Sequence, residues 1–212
     1  MIFLLYPVQY TFVTGLDIGL RYPVTLFNSY HRFYNLTKPY EIITYLDTIK
    51  HIKNKKYRSM YPYKRNRDAI YDLLSDYIIR MLPPLSILAV ENIDYKNGWP
   101  SVIQLNIFVN MLKKKCNRIG IQFIKVDATN TSNMCPRCGH VDKNNRDKSR
   151  HVYICNNCGL ICNDDAIAAW NIHNRAYEMI FGRKFDVTIG GYTPVVVREN
   201  KNISFCDMIP SC

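Results

Sequence analysis

Residues 153–172 read YICNNCGLICNDDAIAAWNI, a Cys-x-x-Cys-Gly turn followed at once by an apolar helix that opens on two acids. A matching turn lies upstream at Cys135-Pro-Arg-Cys138-Gly139, with sixteen residues between the two cysteine pairs. Each Cys-x-x-Cys turn puts two thiolates on one side of a tight knuckle, and the glycine after it accepts the positive φ that the turn needs. Two such knuckles complete a tetrahedral four-thiolate site, so the spacing predicts a zinc ribbon that binds Zn2+ through Cys135, Cys138, Cys155 and Cys158. A module of about thirty residues builds no core of its own, and the metal supplies its folding energy. Four thiolates close the coordination shell, which makes this zinc structural. A redox dithiol or plain buried cysteines are the competing readings, and the doubling of the motif at ribbon spacing argues against both. Cys162, four residues past the last ligand, reads as a small apolar side chain and not as a fifth ligand. Between the pairs, Lys143, Arg146, Lys148, Arg150 and His151 form a basic stretch suited to phosphate contact, with a merely solvated loop as the alternative for any one of them.

Outward from this segment, Ala169, Ile172, Ala176 and Ile180 continue a helical period to about Phe181. Upstream, IQFIKVD (121–127) is a strand, and Val102, Leu105, Val109, Leu112 and Cys116 mark one face of a helix capped by Gly120. SILAVENI (86–93) is a continuous apolar run ending in one acid, as in a buried parallel strand, and the strand-helix-strand order predicts a right-handed crossover. Before it, Ile70, Leu73, Leu74, Tyr77, Ile78 and Met81 recur at helical spacing until Pro83-Pro84. Lys53, Lys55, Lys56, Arg58, Lys64, Arg65 and Arg67 give that helical region a basic face. TFVTGLDIG (11–19), YPVTLFN (22–28) and RFYNLT (32–37) are three short strands expected to pair as an antiparallel meander.

Asp17 then ends the first strand, Glu91 ends SILAVEN, and Asp164 and Asp165 stand at the start of the last helix. If the first and fourth strands are parallel neighbours, their two carboxylates leave the sheet at one edge, where a helix crossing that edge brings a third acid. Three such acids make a hard-oxygen site for Mg2+ or Mn2+, and phosphodiester hydrolysis uses a pair of these ions. On the residues alone, Asp164 and Asp165 are equally good third acids. Either also suits a helix N-terminus electrostatically, and Asp17 with Gly19 also suits a turn.

Composition narrows the class. The chain carries 28 Lys and Arg against 17 Asp and Glu, a net +11, which implies an anionic partner such as nucleic acid. With 21% charged and 13% aromatic residues it lies outside the disordered regime. No apolar run is long enough for a membrane span, and residues 1–8 lack the basic start and cleavage site of a secretory signal, so a soluble, intracellular protein without a membrane partner is expected. Trp99 and Trp170 read as core residues before they read as base-stacking ones.

The stretches GLDIG (15–19), LAVENI (88–93), VDATNTSNMCPRCGH (126–140), Asn145-Arg146 and YICNNCGLICNDDAIAAWNI resemble, in the same order, the RuvC-like nuclease region of the TnpB transposon-encoded nucleases and of the miniature type V CRISPR nucleases. Thr131-Ser132 before the first cysteine and the acid followed by Ala-Ala-x-Asn-Ile are specific to that family. The resemblance implies an α/β RNase H-like mixed sheet with an inserted zinc ribbon. It also implies Asp17, Glu91 and Asp165 as the catalytic acids. Asp165 is chosen because the family's third acid stands three residues before the Ala-Ala pair, here Ala168-Ala169. The expected organisation is a nuclease core over 1–128, a nucleic-acid-binding ribbon over 129–163, the final core helix over 164–181 and a tail over 182–212.

This chain departs from the family at Ile167, where an Asn is usual, and in having fourteen residues before GLDIG, so the region that grips guide RNA is expected to be missing here, with a split gene, a degraded remnant and a partner chain carrying the other half as the open readings. The leading expectation is a metal-dependent DNA endonuclease of the transposition-associated type. The alternatives are the same fold kept for binding without cleavage, and a zinc-ribbon transcription factor.

Overall fold

The structure, a computed structural model, describes residues 12–18, 24–28, 33–36, 61–93 and 105–185. The elements in chain order are β1 (Phe12–Asp17), β2 (Val24–Asn28), β3 (Phe33–Leu36), α1 (Tyr61–Met81), β4 (Ser86–Glu91), α2 (Leu105–Arg118) and β5 (Gln122–Val126). They are followed by a 3-10 turn (Lys143–Asn145), β6 (Arg146–Asp147), β7 (Val152–Ile154), β8 (Ile161–Asn163) and α3 (Asp164–Phe181). The first five strands form a mixed sheet in the order β3-β2-β1-β4-β5, and the last three form a small antiparallel sheet in the order β6-β7-β8. The meander is antiparallel as expected, β4 lies parallel to β1, and β5 parallel to β4.

Strand alternation divides the large sheet into two faces. Leu16, Leu88 and Val90 pack into a core with Tyr71, Leu74 and Ile78 of α1 and Phe108, Val109 and Leu112 of α2. Val13, Ile87 and Ala89 face the other way, onto Ile172 and Ala176 of α3. The same parity puts Gly15, Asp17 and Glu91 on the α3 side. Gly15 is needed there: a Cβ built on it would stand 2.3 Å from the Ala169 carbonyl oxygen and 2.4 Å from the His173 backbone nitrogen. The bare glycine lets α3 press its backbone onto β1.

Helix α3 is sandwiched, which explains why Ala166 to His173 is buried without a break. One side meets the sheet. The other side, through Ile167, Ala169 and Trp170, packs on Tyr153, Leu160, Cys162 and the buried cysteines of the downstream module. Trp170 is thus a core residue that stacks on Phe27 at 5.3 Å between ring centroids, and Cys162 is apolar filling, its thiol pushed up to about 11 by burial. Ile167 lies in the same core, so the position where the family's Asn is usual is here a packing position.

Two expectations are corrected. Leu73 points to solvent, at 49% exposure, because α1 packs through Tyr71, Leu74 and Ile78, about 100–160° round the helix from it. Arg67 belongs to no solvated basic face: it is buried and paired with Asp68 at 2.7 Å. Helix α3 begins at Asp164, where the Asn163 side chain caps it by accepting hydrogen bonds from the Asp165 and Ala166 amides. Lys53, Lys55, Lys56, Arg58, Trp99, Val102 and residues 186–212 lie outside the described residues, as do the side chains of Lys64 and Arg65.

Candidate metal centres

Both cysteine turns fold alike. The Cys135 amide donates to the His140 carbonyl at 2.8 Å and the Gly139 amide to the Cys135 carbonyl at 2.8 Å. The Cys155–Leu160 and Gly159–Cys155 bonds repeat this at 2.9 Å each. Gly139 and Gly159 take φ of 75° and 70°, the left-handed turn for which glycine is suited. The four sulfurs of Cys135, Cys138, Cys155 and Cys158 lie within 4.8 Å of one another, with 3.5 Å and 3.6 Å between the Cys135–Cys158 and Cys138–Cys155 pairs. A tetrahedron of four thiolates around zinc, with Zn–S of about 2.3 Å, has S···S edges of about 3.8 Å, so the cluster has the size zinc requires. Against the desolvation cost, hydrogen bonds from Asn157, the His140 backbone and the neighbouring thiols bring the Cys138 thiol down to about 6, whereas burial pushes Cys135 and Cys158 up. Asn145 joins the two halves of the module: its amide nitrogen donates to the Tyr153 hydroxyl at 3.2 Å and its oxygen accepts from the Asn156 amide at 3.1 Å.

The acids gather at the C-terminal edge of the parallel strands. Register pairs Leu16 with Val90, so the next step along both strands sets Asp17 beside Glu91. Burial, then the charges of Glu91 and Asp165, push the Asp17 carboxyl up to about 8, while Arg146 pulls against the rise. Asp164 adds less than Asp165 does. Burial also raises Glu91, opposed by a hydrogen bond from the Thr131 hydroxyl and by the charge of Arg175. A carboxyl raised by burial and by two neighbouring acids lies in an oxygen donor set short of positive charge, the condition a divalent cation relieves.

Asp164 is held by neighbours of its own. It is 1% exposed, accepts from Arg146 Nε at 2.9 Å and faces His151 Nδ1 at 3.5 Å. His151, Asp164 and Asp165 form a second close group of ligand-type atoms within 4.8 Å, with Asp17 and Glu91 outside it. Arg146 departs from its expected place among the phosphate contacts: its guanidinium is mostly covered and spans Asp164 and Asp165, the latter at 3.7 Å. Lys143, Lys148 and Arg150 are exposed, Arg150 beside Asp147 at 3.7 Å. Reading the sequence missed Thr131 as the partner of Glu91, although its place ahead of the first cysteine had marked it as family-specific. It also missed Asn171 and Arg175, the polar positions one turn apart on α3 that hold the loop carrying Thr131.

Residues 106–172 match a family model described as Cas12f1-like, TNB domain. The chain is similar to the miniature type V, TnpB-like nucleases. Over 58 residues it is 40% identical to the CRISPR-associated endodeoxyribonuclease Cas12f1 of Sulfoacidibacillus thermotolerans, a match covering 27% of this chain and 14% of that protein. In fold it matches the cryo-EM structure of a Cas12f1–sgRNA–target DNA complex with a TM-score of 0.58 at 19% identity, covering 79% of this chain and 51% of that one. A CRISPR-Cas12f ternary complex gives the same TM-score and identity over 80% of this chain and 40% of that one. The chain therefore spans about half or less of these miniature type V relatives, and shares with the solved structures a mixed α/β sheet flanked by helices. Among the described residues no helix is long and apolar enough to cross a membrane.

Proposed function

We propose that this chain is a RuvC-type, metal-dependent DNA endonuclease whose core spans residues 1–128 and 164–181, with a zinc ribbon over 129–163 and a tail from 182. The observation that carries the proposal is the parallel register that sets Asp17 beside Glu91 at one sheet edge; burial first, then the charges of Glu91 and Asp165, raise the Asp17 carboxyl, which supports Asp165 as the third acid. A fold that only bound nucleic acid would gain nothing from three acids on a face that repels phosphate. The ligand-sized four-cysteine cluster supports structural Zn2+, and the same relatives' complexes with sgRNA and target DNA support DNA as substrate and a guide RNA as partner.

Asp17 stands beside Glu91 at the ends of β1 and β4, and Asp165 is the third acid of the set. They would hold Mg2+ or Mn2+, which when bound supplies an activated water and a counter-charge for the leaving oxygen. Arg146 sets a guanidinium against Asp165 and offsets the repulsion between the acid edge and an incoming phosphate. Lys143, Lys148 and Arg150 give the exposed ribbon a surface for the nucleic-acid backbone.

The test is cleavage of labelled single-stranded and duplex DNA by zinc-loaded protein with Mg2+, with Mn2+ and with neither, beside Asp17→Ala. Cutting that requires the added ion and disappears in Asp17→Ala is the expected result. Salt-sensitive DNA binding without cutting under every condition, guide RNA included, would instead make the chain a binding protein.

A further inference from the structure

Glu91 sits at the end of β4 and does not orient itself. Its carboxylate accepts from the Thr131 hydroxyl, and both groups are buried, Glu91 at 9% exposure and Thr131 at 3%. Thr131 belongs to the loop that runs from β5 to the first cysteine knuckle, forty residues further along the chain, so the contact depends on how that loop is held.

Helix α3 holds it by four carbonyls. The fully buried Asn171 donates from its amide nitrogen to the carbonyls of Thr131 and Met134, at 2.7 Å each. One turn on, Arg175 donates to the carbonyls of Asp127 and Thr129. Met134 immediately precedes Cys135 and bridges to Val141 across the first knuckle. The Thr131 loop is thus tied at one end to the cysteine cluster and along its length to the helix that begins with Asp164 and Asp165. A β-branched side chain in a pinned loop has a restricted χ1, so its hydroxyl is aimed and not free to search.

We propose that Thr131 is the positioning residue for Glu91, and that Asn171 together with the metal-closed Cys135 knuckle fixes Thr131 in place. This rests on the nuclease reading above, in which Glu91 is a ligand of the divalent ion. The hydroxyl takes one carboxylate oxygen of Glu91 and also lies 3.2 Å from the Ala128 carbonyl, a second contact within its own loop that restricts where it points. Partners that orient a ligand in this way commonly change metal affinity by about 10–100-fold when removed. The four-cysteine site and the acid edge are then one mechanical unit, joined through residues 127–134.

The experiment is Mn2+ titration of the full zinc-loaded chain by calorimetry, for wild type, Asp17→Ala, Thr131→Ser and Thr131→Val, with the absorption spectrum of Co2+ substituted into the cysteine site as a check that the knuckles are intact. Asp17→Ala should abolish specific Mn2+ binding. Thr131→Val should weaken it about tenfold or more with an unchanged Co2+ spectrum, and Thr131→Ser, which keeps the hydroxyl, should stay within about threefold of wild type. Thr131→Ala makes the same deletion if the valine disturbs packing. Thr131→Val binding as tightly as wild type, or Thr131→Ser losing as much as Thr131→Val, would overturn the role of the hydroxyl while leaving the nuclease reading intact. Wild type binding no better than Asp17→Ala would sink the nuclease reading and this inference with it.

Discussion

Replacing Gly15 by alanine asks whether the backbone of α3 rests directly on β1. The added Cβ would meet the Ala169 carbonyl oxygen at 2.3 Å, where an ordinary contact begins at 3.4 Å, so the helix must retreat by 1.1 Å (3.4 − 2.3) or the strand must buckle. The atoms it meets are backbone oxygen, nitrogen and Cα, which no side-chain rotation can move aside. Overpacking of this kind costs about 1–3 kcal/mol. For a chain of this size that corresponds to a melting temperature lower by roughly 2–12 °C. Because Asp165 lies on the same helix one turn before Ala169, the retreat also carries the third acid away from Asp17, and a displacement of about 1 Å can reduce a reaction rate about 100-fold. Calorimetric melting and Mn2+ titration of Gly15→Ala measure both effects. Gly182→Ala is the control: its φ is 64° in open space, so it incurs only the left-handed backbone penalty of about 1–2 kcal/mol and should leave the acid edge undisturbed. The reasoning fails if Gly15→Ala melts and binds Mn2+ like wild type. It fails equally if Ala169→Gly rescues it, since that change removes no atom in the contact.

Other expected outcomes follow from the same geometry. With no divalent ion added, the folded protein keeps a proton on Asp17 up to about 8 whereas the unfolded chain releases it near 3.8, so this group makes stability fall as pH rises between those values. Urea unfolding at about pH 6 and pH 8 should show that fall, Asp17→Asn should flatten it, and saturating Mg2+ should oppose it. Chelation of zinc should expose Cys135, Cys138, Cys155 and Cys158 to alkylation together, read site by site by mass spectrometry, whereas Cys116, buried against α1 and the sheet, stays slow. Arg146→Ala strands the buried Asp164 carboxylate and should destabilise by about 3–5 kcal/mol, with much of the loss recovered in the double variant Arg146→Ala/Asp164→Asn, as a denaturation cycle would reveal. Replacing Lys143, Lys148 and Arg150 together by alanine should reduce the salt slope of single-stranded DNA binding by up to about 2, and an unchanged slope would remove these residues from the interface.

Features that depend on local chemistry were legible in the sequence. Knuckle spacing and its two glycines announced the four-cysteine cluster, since the turn, the thiolates and the φ requirement all lie within a few consecutive residues. Short β-prone stretches and a continuous apolar run marked the strands, and the single acid ending each of two of them marked the edge at which they emerge. What tertiary structure alone decided was which groups face each other across distances that no local pattern spans. Asp164 and Asp165 are equivalent as helix-start acids until α3 is laid on the sheet; then one turns to Arg146 and His151 while the other weighs more heavily on Asp17. Arg146, one basic residue among several in its loop, becomes a half-buried counter-charge because β6 carries it against the start of α3. Thr131 reaches Glu91 only through the pinning of its loop by Asn171 and Arg175, a set of contacts spanning forty or more residues. Sequence determines which chemistry each position can offer, whereas the packing of α3 between sheet and cysteine module determines which of those groups meet.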